Sequence, residues 1–305
     1  MSLLAIVVAL LAQHAFPEGA RHHLTAFYGR MALSAAKRLN AGDRNSGILA
    51  WIALMAGVLV PAALLTALAS AIHPFVVWVI DCIVLYGTLR FLSTLRAISG
   101  IERALREATP VAAANALAQW QAEPVQTDEP GAIARLAAEH GLREAHHGTL
   151  GPLFWFLVLP GPLGLILHPL ALRAAQSWSH LVESEREFGW FASRAFHVID
   201  WIPQRASAFT FAVVGNFEDA IYCWRSQAAA WVRPEEGVVL AGGAGALGVR
   251  LGDRIPVGDA FVERPALGTG ESAREDALAS LEGLLWRALV LWMIVYLLAA
   301  ALRIA

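Results

Sequence analysis

Charged residues are scarce in this sequence, and Lys37 is its single lysine. Asp, Glu, Lys and Arg make up 16% of the 305 residues, whereas soluble domains contain about 25%. The stretch from Asn45 to Ile80 contains no charged residue. Because a membrane span needs about 20 apolar residues, this scarcity argues against an ordinary soluble domain and predicts an integral membrane protein.

Cysteine is almost absent, since Cys82 and Cys223 are the only two. Two cysteines so far apart exclude a disulfide framework and a CxxC metal site. The net charge of −2 excludes the basic surface that nucleic-acid binding needs. The N-terminus has no positively charged segment before its apolar run, which argues against a cleaved signal peptide.

The apolar runs predict an all-α, polytopic integral membrane protein with cytoplasmic or interfacial amphipathic helices. We treat residues 1–305 as a single membrane domain. The predicted spans lie near 3–16, 49–72, 75–96, 150–172, 191–215 and 284–302. The polar regions between them are 17–47, 97–147 and 216–282.

Several breaks are visible inside the apolar runs. His73 and Pro74 predict a short turn between two spans, and Asp81 then falls inside the second span. A charge in a span is costly, so we expect Asp81 to face other helices rather than lipid. The segment "PGPLG" at 160–164 would break a helix, giving either a kinked span or a re-entrant hairpin.

The polar regions suggest an orientation. The 17–47 loop is rich in arginine, so the positive-inside rule predicts that it lies on the cytoplasmic side of the membrane. We expect that membrane to be the bacterial inner membrane. The 97–147 region then lies on the same side, as amphipathic helices interrupted at Gly141. The lipid bilayer is the expected partner.

The stretch "ESEREFGWFASRAFHVIDWIPQRASA", 183–208, carries far more charge than its surroundings. It could be a surface loop, a core helix with buried pairs, or a polar site beside a membrane. As a helix at about 100° per residue, it gathers a polar arc on one side. The arc contains Ser193, Arg194, His197, Asp200, Gln204, Arg205 and Ser207. An arginine-lined arc suits phosphate, which the planar guanidinium binds bidentately.

A second motif is the glycine-rich segment 238–253, in which Gly243, Gly245 and Gly248 have G-x-G-x-x-G spacing. A dinucleotide site needs a strand before this motif and a helix after it, and the glycines and prolines that follow argue against that context. A glycine-rich loop whose backbone N–H groups face an anion remains open. The pairs His22–His23 and His146–His147 have no partner at metal-ligand spacing, so we interpret them as loop histidines.

Taken in order, "GPLFW", "FGWFASRAFHVIDWIPQRASA", "GALGVRLGD" and "ERPALGTG" resemble the CobD/CbiB family of integral membrane proteins. The family's synthase joins adenosylcobyric acid to aminopropanol or its phosphate with ATP, in late cobalamin synthesis. The resemblance therefore implies an ATP-dependent amide ligase with Mg²⁺ and a corrinoid or phosphorylated small-molecule ligand. It implies Arg194, Asp200 and Arg205 as catalytic residues, and Gly189, Trp190, Gly245, Gly248 and Arg250 as ligand-binding residues.

Two acidic motifs of such synthases are changed here. An "EN…DG" pattern is replaced by "EHGLREAHHG", with His147 at an expected Asp, and a "TLDSM" pattern is replaced by "RAAQSWSHL", with Ala175 at the acidic position. Carboxylates and phosphates are the ligands that Mg²⁺ prefers, so the metal ligands are left unassigned. The segments "LRAAQSW" and "HVIDWIPQR" also resemble AmpE, which leaves a non-catalytic membrane sensor or signalling modulator as the alternative.

Overall fold

The structure is a computed structural model that describes residues 2–16, 21–179, 186–257 and 260–302. Most of these residues are helical, which confirms the predicted all-α class. The helices are α1 (Ser2–Ala15), α2 (Arg21–Leu39), α3 (Arg44–Ile72), α4 (Pro74–Thr88), α5 (Phe91–Arg106), α6 (Pro110–Gln121), α7 (Pro130–Ala145), α8 (Gly151–Val158), α9 (Leu163–Ser179), α10 (Arg186–Val214), α11 (Phe217–Gln227), α12 (Pro234–Leu247) and α13 (Glu275–Leu302). A π-helical turn, His146–Leu150, joins α7 to α8, and a 3-10 turn, Ala228–Ala230, follows α11.

Four short strands follow α12, in the segment rich in glycine and proline. They are β1 (Arg250–Gly252), β2 (Ile255–Val257), β3 (Ala260–Val262) and β4 (Ala266–Gly268). β1 pairs antiparallel with β4 and β2 pairs antiparallel with β3, forming two separate two-stranded sheets. Two glycines with positive φ end the paired strands β1 and β4. Gly252, at φ 70°, is the last residue of β1, and Gly268, at φ 96°, is the last residue of β4.

Within the described residues, three helical stretches are long and apolar enough to cross a membrane: Arg44–Ile72, Pro74–Arg106 and Glu275–Leu302. They contain the predicted spans 49–72, 75–96 and 284–302, and the chain is an integral membrane protein. The apolar helix α1 is shorter, and neither the α8–α9 segment nor α10 is among the three. The spans near 3–16, 150–172 and 191–215 therefore stay predictions.

The helix breaks follow local chemistry. His73 ends α3, and its Nδ1 accepts a hydrogen bond from the Phe75 backbone N–H at 3.1 Å while Pro74 opens α4. The predicted break at "PGPLG" is confirmed, because α8 ends at Val158 and α9 begins at Leu163. Gly161 adopts φ +58° there, a conformation that glycine tolerates best.

The chain divides into two compact units. Unit 1 consists of Met1–Arg90, His147–Pro203 and Tyr296–Ala305. Unit 2 consists of Phe91–His146 and Gln204–Val295. The single membrane domain expected from the sequence stays a prediction.

Unit 1 is held by a core around Trp178 on α9 and Phe188 on α10, both fully buried, with ring centroids 4.8 Å apart. The Trp178 indole N–H donates to the Ala32 carbonyl on α2 at 2.9 Å. A Cβ on Gly189 would lie 2.4 Å from the Trp178 carbonyl oxygen, and one on Gly47 would lie 2.2 Å from that of Phe188. Glycine at these two positions lets α9 and α3 approach the start of α10.

Asp81 in the same unit is 9% exposed, which confirms that it faces protein.

Unit 2 uses glycine in the same way. Helix α7 runs through Gly141 without a break, so the predicted interruption is wrong. A Cβ on Gly141 would lie 2.9 Å from the Leu281 side chain, and glycine therefore serves packing there. Asp81 in unit 1 and Gly141 in unit 2 were both conspicuous in the sequence, and both are explained by burial against other helices.

Replacing Gly47 by Ala should destabilise unit 1. The new Cβ cannot fit 2.2 Å from a backbone oxygen, so α3 and α10 must separate, at a cost of about 1–3 kcal/mol. Gly57→Ala, in the same helix with no atom within 4 Å of the added Cβ, is the matched control and should leave stability unchanged or slightly raised. Thermal unfolding of the detergent-solubilised chains measures both, and equal midpoints would contradict the packing argument.

Candidate functional site

Helix α10 carries the charged stretch, and its polar side chains divide into buried and exposed groups. Asp200 and Ser207 are fully buried and Gln204 is 3% exposed. Arg194 is exposed, and Trp190 is 46% exposed. The predicted polar arc is therefore not one continuous lining, because Asp200, Gln204 and Ser207 are buried in protein whereas Arg194, near its N-terminal end, is exposed.

Of the three interpretations of the stretch, the surface loop is wrong, because residues 190–208 are helical throughout. The core helix with buried pairs is supported by Asp200. Arg44 on α3 pairs with Glu187 at the start of α10, and its guanidinium lies 5.0 Å from the Trp190 ring centroid. Glu183 and Glu185 lie outside the described residues.

The buried carboxylate of Asp200 lies between two histidines of unit 1. His168 Nε2 lies 2.8 Å from Asp200 Oδ1, a hydrogen-bond distance. His147 Nε2 lies 3.8 Å from Asp200 Oδ2. The Phe196 ring packs against both imidazoles, with centroids 5.9 Å from His147 and 5.6 Å from His168. We call His147, His168 and Asp200 the His–Asp cluster.

Three elements place the His–Asp cluster. His147 lies in the π-helical turn, where the Arg90 backbone N–H donates to the Gly148 carbonyl at 2.9 Å. A Cβ on Gly148 would lie 2.9 Å from Arg90 Nε and 3.0 Å from Arg90 Cβ, so a larger residue at this position would displace the Arg90 side chain. His168 lies on α9, and Gly164 on that helix allows contact with α8, since its Cβ would lie 2.1 Å from the Trp155 carbonyl oxygen.

The cluster corrects the interpretation of His147 as a loop histidine without partners. His147 lies in a helical turn and faces Asp200 across 53 positions of sequence. His168 was missed altogether. Its signal in the sequence was that it is an isolated polar residue in an uncharged run, where an ionisable side chain is expensive unless it has a buried partner.

The glycine-rich segment is mostly helical. Gly243 and Gly245 lie inside α12, so the loop expected from their spacing is wrong and their N–H groups belong to a helix. A Cβ on Gly245 would lie 2.5 Å from the Asp219 carbonyl oxygen on α11. Gly248 ends α12 at φ +67° as its C-cap. Packing and capping account for these glycines, and binding through them stays a prediction.

The predicted site residues fall into both units. Gly189, Trp190, Arg194 and Asp200 belong to unit 1, and Arg205, Gly245, Gly248 and Arg250 belong to unit 2. Among these predicted site residues, Asp200 lies in a buried polar cluster. The Arg250 side chain is 45% exposed, with Nε 3.8 Å from Asp253 Oδ2. The roles assigned to the predicted arginines, and their convergence on one ligand, stay predictions.

Unit 2 contains a second polar centre, which includes Arg264 of the "ERPALGTG" motif. Glu139 on α7 is 3% exposed, and its Oε2 accepts from Arg264 Nη1 at 2.7 Å. Its Oε1 accepts from Arg264 Nη2 at 3.0 Å and from the Gly252 backbone N–H at 2.9 Å. The Arg264 guanidinium also lies 5.6 Å from the Trp231 ring centroid. The Glu139–Arg264 pair and the Gly252 hydrogen bond therefore connect the strands that follow α12 to helix α7.

A cavity of about 430 Å³ adjoins this pair. Three arginines, three glutamates and a tryptophan account for its charged and large aromatic lining, and we call it the unit 2 cavity. These residues are Arg143, Arg233, Arg264, Glu123, Glu139, Glu236 and Trp231. Its volume lies in the range of small-molecule sites, about 300–1,000 Å³.

Comparison with known proteins gives a consistent result. The family model described as CobD/Cbib protein matches residues 6–285. The chain is 31% identical over 299 residues to "Cobalamin biosynthesis protein CobD" of Stutzerimonas stutzeri, covering 96% of each chain. It is 30% identical over 308 residues to the protein of that name from Chromobacterium violaceum, covering 99% of this chain and 97% of the relative. It is 24% identical over 245 residues to "Cobalamin biosynthesis protein CbiB" of Salmonella choleraesuis, covering 77% and 76%. No solved structure matches the chain.

Replacing Glu139 by Gln should destabilise unit 2. The change removes the carboxylate that pairs with Arg264, whose side chain is 16% exposed, and breaking such a buried pair costs about 3 kcal/mol. Asp276→Asn is the matched control, because Asp276 is 84% exposed in its pair with Arg106 and surface pairs contribute less than about 1 kcal/mol. Thermal unfolding in detergent should show a clear loss for the first variant alone, and a loss of similar size in both would refute the role of this pair.

Proposed function

The chain belongs to the CobD/CbiB family, and on that premise we propose that it acts in cobalamin biosynthesis at the bacterial inner membrane, with a corrinoid as its ligand. The near-complete overlap with relatives named for that process carries the proposal. The same relatives support this function over the AmpE-like alternative. Three helical stretches suited to crossing a membrane fit such a location.

The reaction we propose is the one that the resemblance implies. A carboxyl group of adenosylcobyric acid is joined as an amide to aminopropanol or its phosphate. The carboxyl group first takes a phosphorus-containing group from ATP, whose phosphoanhydride bond is broken, and the amine then displaces that group together with the carboxyl oxygen and loses a proton. The corrinoid is the larger substrate, and the amino alcohol or its phosphate is the smaller one. The nucleotide adds a second phosphorylated ligand, so the protein must bind anions.

We assign the smaller substrate to the unit 2 cavity. An amino alcohol phosphate carries an ammonium group and a phosphate, and the cavity lining contains both glutamates and arginines. Arg143 is the candidate for the phosphate contact. Its side chain is 31% exposed, and its Nη1 lies 3.7 Å from Glu236 Oε2, a longer separation than a hydrogen bond. A guanidinium in this state can still donate to a ligand oxygen.

Mg²⁺ does not fit the His–Asp cluster or the Glu139 carboxylate. The His–Asp cluster offers one carboxylate and two imidazoles, whereas Mg²⁺ prefers oxygen ligands. Both oxygens of Glu139 accept hydrogen bonds from Arg264. We therefore derive no step of the reaction through a protein-held Mg²⁺.

The proposal predicts that this chain restores growth to a bacterium whose cobinamide-forming synthase has been deleted, under cobalamin-limited conditions. Growth should depend on added cobyric acid, because the reaction consumes that corrinoid. An empty vector is the negative control, and immunoblotting of membranes verifies that the chain is present. Stable expression without growth would contradict the proposed synthase activity.

The cavity assignment predicts a separate effect of Arg143→Lys. Lysine keeps the charge but loses the planar fork, so affinity for aminopropanol phosphate should fall by about tenfold, the effect of about 1.4 kcal/mol. Arg103→Lys, at an exposed position on α5 of the same unit, is the matched control and should bind as the unchanged chain does. Calorimetric titration of purified protein measures both. Equal affinity in the unchanged chain and both variants would show that Arg143 does not bind the phosphate.

A further inference from the structure

Helix α2 of unit 1 has a buried face and an outward face of different chemistry. Tyr28, Ala32 and Ala36, each four residues after the last, are buried in the core that contains Trp178. The outward face consists of exposed residues, which are Phe27, Arg30, Leu33, Ser34, Lys37 and Arg38. From Arg30 onward they follow the i, i+3, i+4, i+7, i+8 spacing of a single helical face. The packing of α2 therefore fixes which side chains face away from the protein.

The outward face of α2 is strongly positive. The helix contains no Asp or Glu. Its exposed cations, Arg30, Lys37 and Arg38, form no ion pair among the described residues. Asp43, in the connection that follows, accepts a hydrogen bond from the Ser46 backbone N–H at 3.2 Å and caps α3. Three unpaired cations on one face favour an anionic partner.

Large apolar side chains share this face with the cations. Phe27 is 44% exposed and Leu33 is 46% exposed. Residues 40–43 alone separate α2 from α3, and α3 is one of the stretches suited to crossing a membrane. Cations interleaved with exposed apolar side chains, next to the start of a span, match the interface of a bilayer, where charged headgroups meet the first acyl carbons.

We propose that the outward face of α2 binds anionic phospholipid headgroups of the membrane that α3 crosses. The two guanidinium groups can bind phosphate oxygens bidentately, and the Lys37 ammonium acts as a point charge. Arg30 and the Lys37–Arg38 pair lie two helical turns apart, about 10 Å along the axis, so they contact separate headgroups. Phe27 and Leu33 contact the acyl chains. The inference holds whether or not the proposed synthase reaction is correct.

The first test is lipid binding by the full-length chain, stripped of lipid in detergent and titrated with phosphatidylglycerol or phosphatidylcholine. Native mass spectrometry gives the number of bound lipids and their apparent Kd values. We expect phosphatidylglycerol to bind more tightly than phosphatidylcholine, with about one molecule for each of the two groups of cations. Equal affinity for the two lipids would overturn the proposal.

Soluble glycerol phosphate distinguishes a lipid site from a free-phosphate site. It carries the charge of the headgroup but no acyl chain, so it should bind much more weakly than phosphatidylglycerol. An affinity equal to that of the lipid would overturn the proposal, because the face would then recognise phosphate alone.

A charge-removal variant identifies the face. Arg30, Lys37 and Arg38 are replaced together by Gln, which keeps helix propensity. Each basic residue beside an anionic surface contributes about fivefold in affinity. We therefore expect the apparent Kd for phosphatidylglycerol to rise at least about tenfold, with phosphatidylcholine binding unchanged. An unchanged Kd in a variant that unfolds at the same temperature as the original chain would contradict the proposal.

The matched control removes the same number of charges elsewhere. Arg103, Arg225 and Arg274 are exposed residues of unit 2, and replacing them by Gln lowers the net charge equally. This variant should bind phosphatidylglycerol as the unchanged chain does. A loss as large as that of the α2 variant would overturn the proposal by assigning the effect to net charge.

The single lysine of the sequence allows a test without any substitution. Lys37 should react more slowly with a water-soluble acylating reagent in nanodiscs of phosphatidylglycerol and phosphatidylcholine than in nanodiscs of phosphatidylcholine alone, because headgroup phosphates hold its amine in the charged form. High salt should remove the difference, since it screens exposed charges. The N-terminal amine, resolved by peptide mass spectrometry, corrects for the general effect of an anionic surface. Equal corrected rates in both nanodiscs would overturn the proposal even if the α2 variant failed to fold.

Discussion

The burial of the Asp200 carboxylate is the constraint on which unit 1 depends. A carboxylate without solvent costs several kcal/mol unless hydrogen bonds or an opposite charge compensate it. The compensating groups, His168 and His147, come from α9 and the π-helical turn. The three elements must therefore pack against one another. Gly189 lets α10 approach the α9 backbone at Trp178, and Gly164 lets α9 approach the α8 backbone at Trp155, because neither position has room for a Cβ. Apolar packing alone would allow these helices to slide, whereas the polar cluster specifies one arrangement.

Unit 2 also contains a buried carboxylate, that of Glu139, and there an arginine rather than a histidine compensates its charge. Arg264 binds both oxygens of Glu139 and extends the contact to the Gly252 carbonyl. This anchoring explains how strands of three residues persist in a helical protein, since two-stranded sheets of that length are marginal by themselves. The unit 2 cavity adjoins the anchor, so the pair that stabilises the unit also shapes its candidate binding surface.

The two polar centres differ in composition and in the unit that contains them. The unit 2 cavity has the size and mixed charge for a small substrate, and the His–Asp cluster combines one buried carboxylate with two imidazoles. Membership of the CobD/CbiB family is established by similarity over nearly the whole chain.

The sequence by itself determined the helical membrane class, the helix over 190–208, the breaks at Pro74 and "PGPLG", and the inward position of Asp81. These features depend on local hydropathy, proline and glycine, which act within a few residues. Only the tertiary structure decided the partners of Asp200 and Glu139, because His168 and Arg264 lie 32 and 125 positions away. It also decided that Gly141, Gly243 and Gly245 serve helix packing. A glycine that permits close approach has the same local signature as one that opens a loop, and the difference lies in what packs against it.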